Sequence, residues 1–375
     1  MKTSSKLKII RKKNKQSGKQ QKAEKIKKFN PNDAALFDGI FGLPFNAEES
    51  ETILIPVPWE VTVSYHSGTA KGPEAILKAS YQVDLFDPFL KDAWKLGIYL
   101  DKIKTSITQK NKTFRSKAER YFKLLDKKTA QSEKQKKSLS KEINTACEWM
   151  NKQVYTLSTT YLHQNKLVGL VGGDHSTPFG FIQALSDYYG SFSILQIDAH
   201  ADLRKSYQGF KYSHASIMYN VLNEIQSLEK LIQVGIRDYC EEEYQLIQTH
   251  PKIKTFFDKD IKYSMFRGDS WDRICNRIVK ELGDRVYISF DIDGLDPKLC
   301  PNTGTPVAGG FEADQVLYLL EKIVLNGKTI IGFDLNEVAP AKDNDWDANV
   351  AARILYRMIN IAQRSRQKIK HNNFN

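Results

Sequence analysis

The sequence has no run of roughly 18 consecutive apolar residues, the length a helix needs to cross a bilayer, so no membrane span is expected. Cysteine is scarce. The four present, Cys147, Cys240, Cys275 and Cys300, form no C-x-x-C pair, which argues against a disulfide framework or a zinc ribbon. The N-terminus lacks the apolar core and small-residue cleavage site of a secretory signal, so a reducing cytoplasm is the expected location. Acids are nearly missing from the first 28 residues, which hold Glu24 against 12 Lys and Arg. That segment accounts for +11 of the formal net charge of +12, so the basic balance belongs to a tail and not to the body. High charge and low hydrophobicity predict disorder over residues 1–30. No aromatic residue precedes Phe29, so a solubilising tail is favoured over nucleic-acid binding.

From residue 31 to 375 the pattern is that of one α/β domain. Eight short apolar runs predict strands: Thr52–Val57, Leu96–Leu100, Leu167–Val171, Ser193–Ile197, Leu231–Val234, Lys254–Phe257, Arg285–Phe290 and Thr329–Phe333. Amphipathic stretches such as Pro73–Ser80, Ser213–Glu224, Ser270–Leu282, Glu312–Leu325 and Asp347–Ile361 separate them. Strands alternating with helices imply a parallel sheet covered on both faces, either open or closed into a barrel. A Lys-rich insertion over about 101–142 interrupts the alternation. In it Phe114, Ala118, Tyr121, Phe122 and Leu125 keep helical spacing, and it runs into a longer helix near Leu139–His163. An oligomer contact, a lid or a solvated arm would each fit.

Polar motifs follow the strands. Gly172-Gly173-Asp174-His175 comes after the third, Asp198-Ala199-His200-Ala201-Asp202 after the fourth, Asp291-Ile292-Asp293 after the seventh, and Glu337 after the eighth. Open α/β sheets bind ligands at the carboxyl ends of their strands. In extended chain, residues i, i+2 and i+4 share a face, which would point Asp198, His200 and Asp202 together, and Asp291 with Asp293. Four carboxylates so close would repel without cations. Two divalent ions would neutralise them, and imidazole with carboxylate but no thiolate suits Mn(II) better than structural zinc.

With these motifs, and with Ser289–Pro297 (SFDIDGLDP) and Thr303–Pro306 (TGTP), the chain resembles the ureohydrolases, the arginase and agmatinase family, over roughly residues 45–365. The resemblance implies an arginase-type three-layer fold with an eight-stranded parallel sheet. It implies a binuclear metal hydrolase that uses activated water to cut a guanidino carbon–nitrogen bond and release urea. His175, Asp198, Asp202 and Asp291 would hold one ion. His200, Asp198, Asp291 and Asp293 would hold the other. Asp202 and His214, the latter in Tyr212–Ser216 (YSHAS), would move protons, Glu337 would clasp the guanidinium, and Asp238 would meet the substrate tail. A trimer or hexamer is implied as well.

The likeness is to the agmatinase branch. Arg204 stands where arginases carry an Asn for the substrate carboxylate, so arginine is disfavoured. Trp59–Tyr65 and Asp345–Val350 resemble a related branch that includes guanidine hydrolases, some of which use Ni(II). Thr62, Tyr65 and Trp346 could narrow the pocket for a small substrate, and His66 could line its mouth. Agmatine-type substrates rank first, with free guanidine or guanidinobutyrate as alternatives. The full ligand set argues against a single-zinc deacetylase of related fold and against a dead enzyme recruited to bind nucleic acid.

Overall fold

Eight parallel strands form one sheet in the order β2-β1-β3-β8-β7-β4-β5-β6 in the computed structural model, which describes residues 18–367. They are β1 (Thr52–Val57), β2 (Ile98–Leu100), β3 (Leu167–Gly172), β4 (Phe192–Ile197), β5 (Leu228–Val234), β6 (Ile253–Phe256), β7 (Arg285–Asp291) and β8 (Thr329–Asn336). The second strand is shorter than its apolar run because Gly97, at φ 80°, turns the chain beside Ser50 before pairing begins. The sheet is open, with β2 and β6 at its edges.

Helices cover both faces, as a buried parallel sheet requires. One core is built by α2 (Gly72–Ser80), α9 (Trp271–Glu281), α10 (Ala313–Leu325) and α11 (Trp346–Arg366). The other is built by α3 (Thr105–Phe122), α4 (Ala130–Leu162), α5 (Phe179–Tyr189) and α6 (Ile217–Glu224). The short helices α7 (Glu241–Thr249) and α8 (Asp258–Phe266) flank β6. Among the described residues no helix is long and apolar enough to cross a membrane.

The Lys-rich insertion is a helical hairpin, α3 and α4. Helix α4 starts earlier than the apolar pattern suggested. Thr129 and Ser132 form a reciprocal capping box, at 3.1 and 3.0 Å, that fixes the start ahead of the first buried apolar residue, Leu139.

The expectation of a disordered tail over residues 1–30 is corrected for its second half, while residues 1–17 lie outside the described residues. Residues 18–28 form a helix, α1. Lys22 donates to the carbonyl of Leu96 at 2.8 Å, and Lys25 meets Glu49 at 2.6 Å. Ile26 and Phe29 pack on the core, with the Phe29 ring 5.0 Å from that of Trp94. Charge counting missed this because two of the lysines have specific acceptors on the body.

The Glu49 side chain is 2% exposed, and besides Lys25 it accepts the Asn46 amide at 3.0 Å. Lys25→Ala would leave a buried carboxylate without its cation. We expect a loss of about 1–3 kcal/mol, seen by calorimetry as a Tm lower by a few degrees with bound metal unchanged. An unaltered Tm would show that the Lys25–Glu49 pair contributes nothing to stability.

Candidate metal centre

Four neighbouring strands end at one level. Val171 pairs with Leu335, Leu335 with Phe290, and Phe290 with Ile197. One residue further along, Gly172, Asn336, Asp291 and Asp198 leave the sheet together. Motifs far apart in sequence therefore meet because they cap β3, β8, β7 and β4, which lie side by side. The chain crosses here from the β3 side of the sheet to the β4 side, the crevice where open α/β sheets place ligands. Gly173 lets the His175 loop pass under Trp59, since a Cβ on it would lie 2.0 Å from the Trp59 carbonyl oxygen.

The predicted acids and histidines converge, although not by strand alternation. Past Ile197 the backbone is irregular, and past Asp291 it enters a single 3-10 turn, Ile292–Gly294. Asp198 accepts the amide of His200 at 2.6 Å, and Asp291 accepts that of Asp293 at 2.9 Å. Each is an Asx-type turn closed by the first carboxylate of its motif. Asp202 then sits at φ 53°, left-handed, while its carbonyl accepts the amides of Met218 and Tyr219 at the start of α6 at 3.1 and 3.2 Å. Glu337, at φ 62°, is held in the same way. Its amide donates to Gly173 at 2.8 Å, and its carbonyl accepts the Thr303 hydroxyl at 2.9 Å. Non-glycine residues in this region concentrate at functional sites.

His175 Nδ1 faces carboxylate oxygens of Asp202 at 2.9 Å, Asp198 at 3.0 Å and Asp291 at 3.4 Å. His200 Nδ1 lies 3.0 Å from Asp293 and 3.6 Å from Asp198. Two donor groups result, His175 with Asp198 and Asp291, and His200 with Asp198 and Asp293, sharing Asp198. Donors roughly 2.1 Å from an octahedral cation stand about 3 Å apart, so these spacings suit ligands around a divalent ion. Nδ1 of His175 is buried and points between these carboxylates without a well-aligned hydrogen bond to any one of them, the placement of a nitrogen that shares a cation with them.

Electrostatics agree. Burial and the neighbouring Asp198 push the Asp202 carboxyl up to about 7. Burial, then Asp293 and Asp198, raises Asp291 well above the usual carboxylate range. Burial works against charge on His175, yet Asp198 and Asp202 hold its pKa well above the ordinary value. Such a cluster takes up protons unless other cations occupy it. The donor set fits a pair of divalent ions.

Above these side chains opens a cavity of about 440 Å³. Its lining includes His175, His200, Asp202, Asp291, His214 and Glu337, with Arg204, Tyr207, Asp238 and Tyr239 toward the mouth. Glu337 accepts the His175 amide at 2.9 Å, and burial, then Asp174, raises its pKa well above the usual range. Burial, with His200 and His175 nearby, lowers His214 to about 3. Asp238 is 67% exposed, 3.9 Å from His200 Nε2.

Two expectations about the pocket walls are corrected. Thr62 does not line the cavity. It is buried behind His214, donating to Asp174 at 3.2 Å and accepting the His214 amide at 3.3 Å. Trp346 is 47% exposed at the start of α11, where its indole donates to the Lys298 carbonyl at 2.9 Å, and it too leaves the cavity lining to others. Tyr65 lines the mouth as expected, while the neighbouring His66 is exposed and stacks edgewise on it.

The sequence profile described as "Arginase family" matches residues 50–360. The chain belongs to the arginase family. It is 31% identical over 84% of its length to an N(1)-aminopropylagmatine ureohydrolase of Thermus thermophilus, covering 91% of that protein. It is 27% identical over 81% of its length to an agmatinase of Bacillus anthracis, covering 89% of it. In fold it is similar to the agmatine ureohydrolase of Thermoplasma volcanium, with a TM-score of 0.66 over 88% of this chain and 95% of that one at 23% identity.

In this arginase-family chain the clustered acids and histidines are also gripped from beneath, by residues outside the motifs. Gln196 donates to Asp198 at 2.8 Å, Gln233 to Gln196 at 2.7 Å, and the half-buried Thr255 to Gln233 at 2.8 Å, a relay across β4, β5 and β6 that is fully buried at its two glutamines. Ser289 meets His175 Nε2 at 2.9 Å and Asp334 at 3.2 Å. The signal was available: polar residues inside otherwise apolar, fully buried strands must have partners.

Asp198 is common to both donor groups. Asp198→Ala is expected to drop bound metal below one ion per chain by elemental analysis, whereas Asp293→Ala should retain about one. Equal retention in both variants would contradict the shared-ligand geometry.

Proposed function

We propose that this chain hydrolyses the guanidino group of an agmatine-type substrate, one with a cationic tail, releasing urea and an amine. The carrying observation is the cavity. Its floor joins the metal-ligand cluster to the Glu337 carboxylate, and its mouth presents the rings of Tyr65, Tyr207 and Tyr239 beside the exposed Asp238. Carboxylate and aromatic faces suit a positively charged tail. The relatives' names, agmatinase and N(1)-aminopropylagmatine ureohydrolase, support the same class.

His175, Asp198, Asp202 and Asp291 would hold one divalent ion, and His200, Asp198, Asp291 and Asp293 the other, Mn(II) first and Ni(II) second. Bound there, the pair would supply Lewis acidity and a water-derived nucleophile near neutral pH. Glu337 is placed to accept charge-assisted hydrogen bonds from the guanidinium. Asp202, beside His175 and open to the cavity, is placed to take a proton. His214 lines the cavity and is neutral, because burial and the nearby His200 and His175 depress its pKa; by its position it can pass a proton on, but it is too weak a base to hold one. The Thr62 hydroxyl donates to Asp174, and its oxygen faces His214 Nδ1 at 3.5 Å, which orients the ring so that Nε2 is the accepting nitrogen.

Arginine is disfavoured by the state of Arg204. Its guanidinium lies 5.2 Å over the Tyr207 ring and 3.7 Å from Glu243, which itself accepts the amides of Leu203 and Cys240. Free guanidine ranks lower because it would fill little of a cavity this size, and Trp346 does not close it.

Urea release with Mn(II) and Ni(II) should be fastest on agmatine or a longer tailed analogue, with kcat/KM for arginine at least tenfold lower. Glu337→Gln should cut kcat/KM on the order of 10–100-fold, the worth of a hydrogen bond to a charged group. Fast arginine cleavage would overturn the substrate class. A Glu337→Gln variant as active as the parent would overturn the guanidinium clasp.

A further inference from the structure

The Lys-rich hairpin α3–α4 touches the cavity mouth at two places. The first is the loop after β1, residues 58–69, which carries Ser64 and Tyr65 into the cavity wall. Arg115 of α3 reaches into this loop. Its guanidinium donates to the carbonyls of Val63 and Glu60 and to the Ser67 hydroxyl, the last at 2.8 Å. One turn earlier, Asn111 accepts the Glu60 amide at 2.8 Å. Glu60 closes the loop on itself by accepting the amides of Gly68 at 2.6 Å and Ala70 at 3.1 Å.

The second place is the turn Tyr207–Phe210, which carries Tyr207 and Gln208 into the opposite wall. Both Gln208, at φ 49°, and Gly209, at φ 82°, are left-handed, so the turn is strained at a non-glycine residue. Helix α4 holds it. Ser140 donates to the Gly209 carbonyl at 2.7 Å, and Asn144 donates to the same carbonyl at 3.2 Å while accepting the Lys211 amide at 2.8 Å. The Phe210 ring lies 4.9 Å from Tyr121 and 5.8 Å from Phe122, at the end of α3. Ile107, Ala118, Leu139, Ile143 and Cys147 are buried and join the hairpin to the core on this face of the sheet.

We infer that this hairpin is a buttress that fixes both rims of the cavity, with Arg115 and Asn144 as positioning residues that set selectivity for the substrate tail. The inference rests on the proposed hydrolysis of a tailed guanidino substrate. Most of its lysines lie on the outer face, and its contacts with the rims are made by Arg115, Asn111, Ser140, Asn144 and two rings. Arginine suits position 115 because its planar fork reaches the Val63 and Glu60 carbonyls from one nitrogen and the Ser67 hydroxyl from the other, a span that a single compact ammonium does not cover. The guanidino end of a substrate meets the floor, which hangs on the sheet, whereas the tail meets the rims, which hang on the hairpin. Holding the rims in advance lowers the ordering cost of binding the tail.

The test uses the full-length, Mn(II)-loaded enzyme with Arg115→Ala and Asn144→Ala. Hydrogen–deuterium exchange without substrate should rise within residues 60–68 in the first variant and within 206–212 in the second, with two ions per chain and slow exchange in β3 and β8 retained. In each variant KM for agmatine should rise at least fivefold, with kcat within twofold of the parent for Asn144→Ala and lowered as well for Arg115→Ala, whose loop also carries Thr62 behind His214. Unchanged rim exchange, exchange raised across the central strands as well, or a fall in kcat at constant KM would each overturn the inference. Failure of the parent enzyme to release urea from agmatine would instead refute the substrate reading, and the exchange data would still report whether the hairpin holds the rims.

Discussion

Four aspartates, Asp198, Asp202, Asp291 and Asp293, lie at the carboxyl ends of two adjacent strands, all nearly or fully buried. Taken from water and set this close, carboxylates repel one another and resist ionisation. Burial and neighbouring acids raise Asp202 and Asp291, while His175 and His200 hold the central Asp198 below the usual carboxylate range in spite of its burial. The arrangement is tenable when cations share the space, and much of the surrounding structure is organised to hold it: Asx turns, left-handed residues, glutamines sunk in the sheet, and two imidazoles between the acids.

The fold supplies the means. A parallel sheet delivers its strand ends to one edge, and the crossover between β3 and β4 leaves room there for β8 and β7. The registers bring four motifs to one level without any being near another in sequence. The strained backbone at Asp202 and Glu337 is over-determined by bonds from α6, Gly173 and Thr303, so these two carboxylates keep their aim. Chemistry at the floor is thus tied to the rigid sheet. The rims, on loops, depend on helices added outside it.

Much of this was legible in the residues. Apolar runs located all eight strands, since buried parallel strands read as continuous hydrophobic segments. His175, Asp198, His200, Asp202, Asp291 and Asp293 were recognisable from donor type and spacing, although the chain brings them together by side-chain-closed turns and not by strand alternation. Trp346 and Thr62 were misplaced because proximity in a motif does not say which way a side chain turns. The Trp346 indole found a carbonyl on another loop, and Thr62 went behind His214. The helix over 18–28 was missed because composition reports average charge, not the single acceptors that Lys22 and Lys25 reach. The part played by α3–α4 was invisible for a related reason. Its lysines dominate the composition, while its contacts with the rims are made by a few neutral residues and one arginine.

The claim on which the account depends is that two divalent ions share the Asp198 carboxylate. Anomalous diffraction from crystals of the Mn(II)-loaded protein, recorded at the manganese edge, tests it most directly. We predict two peaks, one among His175, Asp198, Asp202 and Asp291, the other among His200, Asp198, Asp291 and Asp293. A single peak in a fully active preparation, or two peaks that do not both touch Asp198, would contradict it.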